Sequence, residues 1–307
     1  MNDSKNSRRE LLLAGAAAAT ASLACTGGEP ASELSGRIRQ SLAYWCLNAT
    51  EWAWDIDRIC RFARDNGCES VELVPHDLWP KLAEYGLRSA LGPNGMPDPP
   101  FARGLNNPAY RDEVVGRTRT AIDQCSVFGV PNVIAFTGYK WRDADDPSSG
   151  EISAEEGADN CVTALKELAL QAEEKNVTVC LEQLNTRDNT HLMKGHPGYQ
   201  GDDIDYCADI VRRVGSPNVK LLFDIYHVQI MNGDVIRRLG ENRELLGHVH
   251  VAGNPGRGDL NDRQEIAYPA VMHALLDLGY DGYVGQEFIP VRDPDESLVE
   301  AIRLCDV

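Results

Sequence analysis

Basic residues are scarce in this chain of 307 residues. The 30 lysines and arginines stand against 47 aspartates and glutamates, which leaves a formal net charge of −17. Nucleic-acid binding draws most of its affinity from clustered Lys and Arg side chains. DNA and RNA are therefore not expected as partners.

The chain also lacks an apolar run long enough to span a membrane. The run LLLAGAAAATASLA, which follows an arginine pair, is short and rich in alanine. It resembles a twin-arginine export signal, and the Leu-Ala-Cys25 that closes it resembles a lipoprotein cleavage site. We predict a signal over residues 1–25, twin-arginine export, and a periplasmic protein or one anchored on the extracytoplasmic side through lipidated Cys25. A disordered cytosolic tail is the alternative.

Paired cysteine motifs are missing as well. The nine cysteines include no CxxC pair and no Cys/His spacing of the zinc-site type. Cys180 and Cys207 lie inside apolar patterns, where cysteine acts as a small core residue. We expect buried, reduced thiols rather than a disulfide framework, even in an exported protein.

No glycine-rich dinucleotide turn follows the first apolar run, so a nucleotide cofactor is not expected. After a polar tether over residues 26–37, apolar or β-branched runs alternate with segments of helical periodicity. Eight runs are present, at 39–46, 70–74, 87–91, 132–138, 177–182, 219–224, 245–251 and 282–288. This α/β pattern predicts a single (β/α)8 TIM barrel over residues 38–307. An open, doubly wound sheet is the structural alternative.

Helix ends are marked by residues that tolerate the left-handed conformation. The clearest helical segments end at Gly67, Gly129, Asn176 and Gly279. Two connections, at 92–108 and 185–202, are longer than the fold requires. Both follow strands, so on a barrel both lie at the carboxyl face, where long loops commonly shape a substrate site.

Four consecutive runs in the second half end with side chains suited to a metal. They are Glu182, Asp224, His250 and Glu287, separated by 42, 26 and 37 residues, or about one strand-helix unit per step. On a barrel their strand ends face the same rim. Carboxylates and a histidine can bind a divalent cation, and carboxylates beside it can carry protons. The pattern predicts an active site with one metal ion.

Several segments carry a family resemblance. LEQLNTR, LLFDIYHVQIMNGDVIR, GHVHVAGNPGR, QEIAYP and GYVGQEFIPVRDP resemble the hydroxypyruvate isomerase group within the xylose-isomerase-like TIM barrels. The resemblance extends from about residue 39 and is strongest over 180–294.

The resemblance implies metal-assisted isomerisation of a small hydroxy-carbonyl compound through an enediolate. It implies that the four strand-end residues hold one Mg²⁺ or Mn²⁺ ion, and that Glu182 and Glu287 are the catalytic acid/base pair. It further implies that His227 and Arg257 bind substrate. In this family the third ligand is Gln in some members and His in others, so His250 fits without specifying the substrate.

Residues beside these positions receive weaker predictions. Asn185, Asn254 and Gln286 adjoin the ligands and are expected to orient them. His76, and His191 and His196 in the long polar loop, are candidates for binding an extra metal or substrate, but solvated histidines are the default expectation.

The specific reaction expected is hydroxypyruvate to tartronate semialdehyde. The alternatives are a sugar epimerase or isomerase, a keto-inositol dehydratase, a non-catalytic sugar-binding lipoprotein, and a DNA repair nuclease, which the negative charge disfavours. The expected partner is a sugar or keto-acid substrate, and the sequence is also compatible with a homo-oligomer.

Overall fold

The computed structural model describes residues 34–307. The predicted signal with Cys25, and the predicted tether as far as residue 33, lie outside the described residues. Leu34 packs against the hydrophobic core. The backbone N–H and the hydroxyl of Ser35 donate to the Asp306 carboxylate at 2.6 and 2.7 Å. The chain from Leu34 onward therefore lies against the domain.

Eight parallel strands form one sheet. Their bounds are β1 Arg39–Ala43, β2 Ser70–Glu72, β3 Leu91–Gly92, β4 Asn132–Phe136, β5 Thr178–Glu182, β6 Val219–Asp224, β7 Leu246–Val251 and β8 Tyr283–Gln286. Their spatial order is β2-β1-β8-β7-β6-β5-β4-β3. The two edge strands meet through backbone hydrogen bonds from Val71 N–H to the Arg88 carbonyl at 3.1 Å and from Leu73 N–H to the Leu91 carbonyl at 2.9 Å. Eight strands are thus confirmed, as a parallel sheet curved into a near-closed barrel, although the third, predicted at 87–91, is only Leu91–Gly92.

Helices surround the barrel. Within residues 34–307 the α-helices are α1 Trp45–Asn48, α2 Ile56–Asp65, α3 Trp79–Glu84, α4 Arg111–Phe128, α5 Ala154–Lys175, α6 Ile204–Val214, α7 Ile225–Met231, α8 Val235–Glu241, α9 Tyr268–Asp277 and α10 Pro294–Cys305, with 3₁₀ turns at His76–Leu78 and Arg243–Leu245. None of these described helices is long and apolar enough to cross a membrane.

The first predicted strand, 39–46, was too long. It ends at Ala43, and Trp45 begins α1, whose first turn is closed by backbone hydrogen bonds from Leu47 and Asn48 to the Tyr44 carbonyl. The apolar pattern continues across this boundary, so hydropathy alone does not reveal it. The early turn places Trp45 at the carboxyl rim.

The helix ends are those that the sequence predicts. Gly67, Gly129, Asn176 and Gly279 all have positive φ, between 52° and 76°, the left-handed conformation that ends a helix. At the start of α5, the Ser153 hydroxyl accepts a hydrogen bond from the Glu156 backbone N–H at 3.1 Å. Local sequence therefore determines much of the helical layer.

Strand side chains alternate between the helical layer and the barrel interior. Val179 and Leu181 of β5, and Leu221 and Phe223 of β6, belong to the main hydrophobic core beneath the helices. Cys180 and Leu222 pack in a second cluster. The alternation sends Glu182 and Asp224, the last residues of β5 and β6, to the interior side.

A short antiparallel hairpin, Trp141–Asp143 with Asp146–Glu151, lies between β4 and α5. Its residues are mostly polar and exposed, so sequence patterning does not predict it. The eight cysteines of residues 34–307 are all buried and free: Cys46, Cys60, Cys68, Cys125, Cys161, Cys180, Cys207 and Cys305.

Candidate active site

Four buried side chains converge at the carboxyl ends of neighbouring strands. Glu182 ends β5, Asp224 ends β6, His250 lies in β7, and Glu287 directly follows β8. One ligand atom from each lies within 4.8 Å of those of the other three. The convergence of these four residues, expected from their spacing, is therefore present in the fold.

The polar atoms at the centre of this cluster suit a cation. Glu182 Oε1 and His250 Nδ1 are buried and have no hydrogen-bond partner. His250 Nδ1 lies 3.6 Å from Glu182 Oε1 and 2.9 Å from Glu287 Oε2, but it forms a hydrogen bond with neither. Buried polar groups are normally paired, and carboxylate oxygens with one imidazole nitrogen form a suitable donor set for a divalent ion. The residues therefore fit the metal that the sequence predicts.

The two carboxylate oxygens of Asp224 have different roles, one in capping a helix and one in the site. Oδ1 accepts hydrogen bonds from the backbone N–H groups of Tyr226 at 2.8 Å and His227 at 3.2 Å, and so caps the N-terminus of α7. Oδ2 faces the cluster, 3.4 Å from Arg257 Nη2. The helix fixes the orientation of the carboxylate that would bind a metal.

Glu287 is held from two sides. The Trp45 indole N–H donates to Glu287 Oε1 at 2.8 Å, and Arg257 Nη2 donates to Glu287 Oε2. The Arg257 guanidinium lies 5.2 Å from the Trp45 ring centroid. These contacts place an aromatic wall and a buried positive charge beside one of the two glutamates.

Arg257 comes from the NPGR turn after β7. The turn is closed by reciprocal backbone hydrogen bonds between Gly253 and Gly258, at 2.8 and 3.2 Å. Arg257 itself has a φ of 54°, a conformation that non-glycine residues rarely adopt and that is concentrated at functional sites. The turn brings the guanidinium into the site rather than to the surface.

The two glutamates have different acidities. Burial raises the pKa of Glu182 to about 7, and the charge of Glu287 adds to this effect, although contact with His250 opposes it. Burial also raises the pKa of Glu287, but Arg257 and His250 outweigh burial and lower it to about 2. Carboxyl groups whose pKa values are separated by their surroundings are typical of an acid/base pair.

His227 has a defined tautomer. Its Nδ1 accepts hydrogen bonds from the Asn185 backbone N–H at 3.1 Å and from the Asn185 side-chain amide at 2.7 Å. The neutral ring therefore carries its proton on Nε2, which is buried without a partner 3.6 Å from Asp224 Oδ2. His227 presents an N–H donor to the site, and Asn185 orients that residue rather than a ligand.

Glu72 and His248 also belong to the site, although the pattern of strand-ending residues in the sequence does not include them. Glu72 Oε1 lies 2.6 Å from His250 Nε2 and 3.0 Å from His248 Nε2, and all three side chains are buried. A proton on His250 Nε2 directed at Glu72 leaves the Nδ1 lone pair facing the cluster, as in carboxylate–histidine–metal arrangements. The available signal was the spacing of His248 and His250, two residues apart on one face of a strand.

The expectation of a solvated loop is wrong for His196, whose side chain is 1% exposed. The ring packs 4.2 Å from Phe101, because the loop after β5 folds back over the site. His191 is exposed, as expected. Asn254 and Gln286 were expected to orient the metal ligands, but their side chains do not hydrogen-bond to them. Asn254 donates to Glu265, and Gln286 donates to Gln40.

A cavity of about 1110 Å³ opens beside the cluster. Glu182, Arg257 and Glu287 line its floor, and residues from both long loops, 93–101 and 191–196, form walls. The prediction that these loops shape a site on this face is therefore confirmed.

The cavity walls are mainly apolar. They include Trp45, Trp52, Phe101, Ile134, Phe136 and Leu184. An apolar cavity with a few convergent polar groups is the usual form of a small-molecule site.

Comparison with known proteins agrees with this architecture. The family model of the xylose isomerase-like TIM barrel matches residues 60–306. The 2-oxo-tetronate isomerase of Cupriavidus necator is 32% identical over 244 residues, a match that covers 76% of this chain and 87% of the relative. A human protein named Putative hydroxypyruvate isomerase is 36% identical over 256 residues, with 82% and 83% covered.

Solved structures share the fold. A family 2 AP endonuclease from Brucella melitensis superposes with a TM-score of 0.70 at 24% identity, covering 85% of this chain and 97% of that one. The 3-keto-D-glucoside 4-epimerase of E. coli gives 0.69 at 17% identity, with 87% and 100% covered. At such identities the likeness concerns the fold alone.

Proposed function

Because the chain belongs to the xylose isomerase-like TIM barrel family, as a hydroxypyruvate isomerase-like member, we propose that it is a metal-dependent isomerase of small 2-oxo acids. One observation carries the proposal. Two of the four buried groups whose ligand atoms lie within 4.8 Å of one another are glutamates, and their pKa values are shifted in opposite directions. A binding protein needs no such proton-transfer pair.

The proposed reaction moves a carbonyl group between adjacent carbons. One glutamate removes the proton from the hydroxyl-bearing carbon of hydroxypyruvate, the electron pair forms an enediolate, and a proton returns to the former carbonyl carbon. The hydroxyl proton passes between the two oxygens, so the product is tartronate semialdehyde. A divalent cation held by Glu182, Asp224, His250 and Glu287, Mg²⁺ or Mn²⁺, would stabilise the negative charge of the enediolate.

The remaining site residues bind and orient the substrate. The N–H on His227 Nε2 is placed to donate to a substrate oxygen near Asp224. The Arg257 guanidinium lines the cavity, and its Nε–H, which has no hydrogen-bond partner among the described residues, can donate to a substrate carboxylate. The apolar walls exclude water from the reacting carbons, which strengthens these interactions.

Hydroxypyruvate is our leading substrate, and its four-carbon homologue 2-oxo-tetronate comes next. Sugar epimerisation, keto-inositol dehydration and sugar binding without turnover are the alternatives to exclude. The test removes metal with a chelator, restores Mn²⁺ or Mg²⁺, and incubates the protein in D₂O with both acids and a panel of ketoses. We expect metal-dependent product formation with deuterium at the reacting carbon of an acid. Metal-dependent binding without turnover or exchange across the panel would contradict an isomerase.

We also propose that this enzyme works outside the cytoplasm. The support is the arginine pair, apolar run and Cys25 of the sequence. Mass spectrometry of the mature N-terminus should find a diacylglyceryl-modified Cys25. A mature protein that retains residues 1–24 would contradict both export and lipidation.

A further inference from the structure

His196 is a buried polar side chain without a partner at the substrate cavity. It is 1% exposed, and neither Nδ1 nor Nε2 forms a hydrogen bond within the protein. Its ring lines the cavity that Glu182 and Glu287 also line. Burying a polar group without a hydrogen bond is unfavourable. Stability of the fold therefore does not explain a histidine at this position, and binding of a ligand in the cavity would.

The position of His196 relative to the four ligands is defined by a short series of contacts. His227 Nε2 lies 3.6 Å from Asp224 Oδ2, and the ring centroids of His227 and His196 are 5.6 Å apart. On its other side, His196 packs against Phe101. His196 therefore adjoins the side chain that contacts Asp224, and its ring lines the same cavity as Glu182 and Glu287.

The chemistry of the ring indicates what it can bind. Burial and the charge of Arg257 lower the pKa of His196 to about 3, so the ring is neutral near pH 7. A neutral imidazole offers one donor and one acceptor. A hydroxyl group can bond either ring nitrogen, as acceptor from the protonated one or as donor to the bare one, whereas a carboxylate can bond only the protonated one.

We propose that His196 determines substrate specificity by binding a hydroxyl group on a carbon beyond the reacting pair. The inference rests on the proposed isomerase function and changes the order of its substrates, because 2-oxo-tetronate has such a hydroxyl and hydroxypyruvate has none. The preferred substrate is then a 2-oxo acid of four or more carbons. The cavity of about 1110 Å³ is far larger than a three-carbon acid requires.

The test compares kcat/KM for hydroxypyruvate and 2-oxo-tetronate in the metal-loaded full-length protein, in His196→Ala and in His196→Asn. The control is His273→Ala, which removes an exposed histidine on α9. Loss of one hydrogen bond should lower kcat/KM of His196→Ala for 2-oxo-tetronate about tenfold, mainly through KM, with less than threefold loss for hydroxypyruvate. Asn retains a donor and an acceptor, so His196→Asn should recover part of the loss. The control should match the wild type.

The outcomes separate this inference from the proposed function. Wild-type turnover combined with equal losses on the two acids, or with no loss, would overturn the role of His196 alone. Absence of wild-type turnover on both acids would overturn the isomerase function and this inference with it. If His196→Ala does not fold, the same ratio measured in His196→Leu, which fills similar space without a hydrogen-bonding group, decides the question.

Discussion

At the scale of single residues, Glu182 and Glu287 are distinguished by what surrounds them. Glu182 has an unpaired buried oxygen, whereas Glu287 is held by Trp45 and Arg257. The pKa of Glu182 is raised and that of Glu287 is lowered. Their surroundings therefore favour a proton on Glu182 and an ionised Glu287, and proton transfer between adjacent carbons uses one group in each state.

Glu182→Gln and Glu287→Gln should each abolish turnover while leaving the fold intact. Each amide keeps a ligand oxygen but cannot accept the substrate proton, so kcat should fall by about 10²–10⁴-fold. Exposed Glu244→Gln is the matched control. Steady-state kinetics with circular dichroism melts would measure both effects, and a variant that retains kcat within tenfold would not be an acid/base residue.

Gly285 is a second residue on which the site depends. A Cβ added there would collide with Glu72 Oε1 and lie 2.8 Å from His250 Cδ2. Only a glycine in β8 therefore lets the Glu72–His250 contact form inside the barrel. The contact in turn orients the ligand nitrogen toward the cluster.

Gly285→Ala should lower the free energy of unfolding by about 1–3 kcal/mol through overpacking. It should also weaken Mn²⁺ binding about 10–100-fold, as expected when a ligand histidine loses its orienting partner. Gly116→Ala, on α4 with no atom within 4 Å of the added Cβ, is the control and should be neutral or slightly stabilising. Unfolding in urea and metal titration calorimetry measure both; unchanged metal affinity in Gly285→Ala would disprove the orienting role.

Sequence reasoning could find the four ligands because each ends an apolar run. It could not find Glu72, because an acidic residue within a short buried strand reads as a strand end or a helix cap until its partners are known. The sequence also fails to predict that His196 is buried, for a related reason. Loop composition predicts exposure, but burial of this histidine results from the loop packing against Phe101, a contact between distant segments.

At the scale of secondary structure, α7 and the site depend on the same side chain. Asp224 caps the helix with one oxygen and faces the cluster with the other. Strand periodicity predicted the strand, and Asp224 at its end was predicted as a ligand. An acidic residue at a strand end can also cap the helix that follows, and Asp224 does both because α7, Ile225–Met231, begins at the next residue.

Asp224→Asn and Asp224→Ala should separate the two roles. The asparagine keeps a capping oxygen but loses the ligand charge, so metal affinity should fall with little change in stability. The alanine should also lose about 1 kcal/mol of stability. Asp203→Ala removes the cap of α6, where the carboxylate accepts from Asp205 and Tyr206, and should lose similar stability without affecting metal binding. Equal metal affinity in wild type and Asp224→Asn, measured by calorimetry, would contradict the ligand assignment.

At the scale of the whole molecule, buried neutral imidazoles couple stability to pH. Burial lowers the pKa of His196 from 6.5 to about 3. Between these values the unfolded chain takes up a proton that the native protein does not. The stability due to the neutral ring is therefore fully present above pH 6.5 and is lost as the pH falls toward 3, at about 1.4 kcal/mol per pH unit.

His196→Asn should therefore flatten the acid side of the stability profile. As the pH falls from 6 to 4, the wild type should lose about 1.4 kcal/mol of unfolding free energy per pH unit more than the variant does. His273→Asn, which replaces an exposed histidine, should follow the wild-type profile. Urea unfolding at several pH values provides the measurement, and parallel profiles for His196→Asn and wild type would show that folding does not lower the pKa of His196.

The eight buried cysteines can report local unfolding of the domain, because each becomes reactive only when its surroundings open. They are distributed over helices α1, α2, α4, α5, α6 and α10 and strand β5, with one further cysteine, Cys68, between α2 and β2. Burial raises the pKa of thiols such as Cys68 and Cys125 to about 12, and a thiol that is neither exposed nor ionised resists alkylation. Pulsed alkylation followed by peptide mapping would therefore time the unfolding of the strand-helix units that carry these cysteines, without an introduced probe.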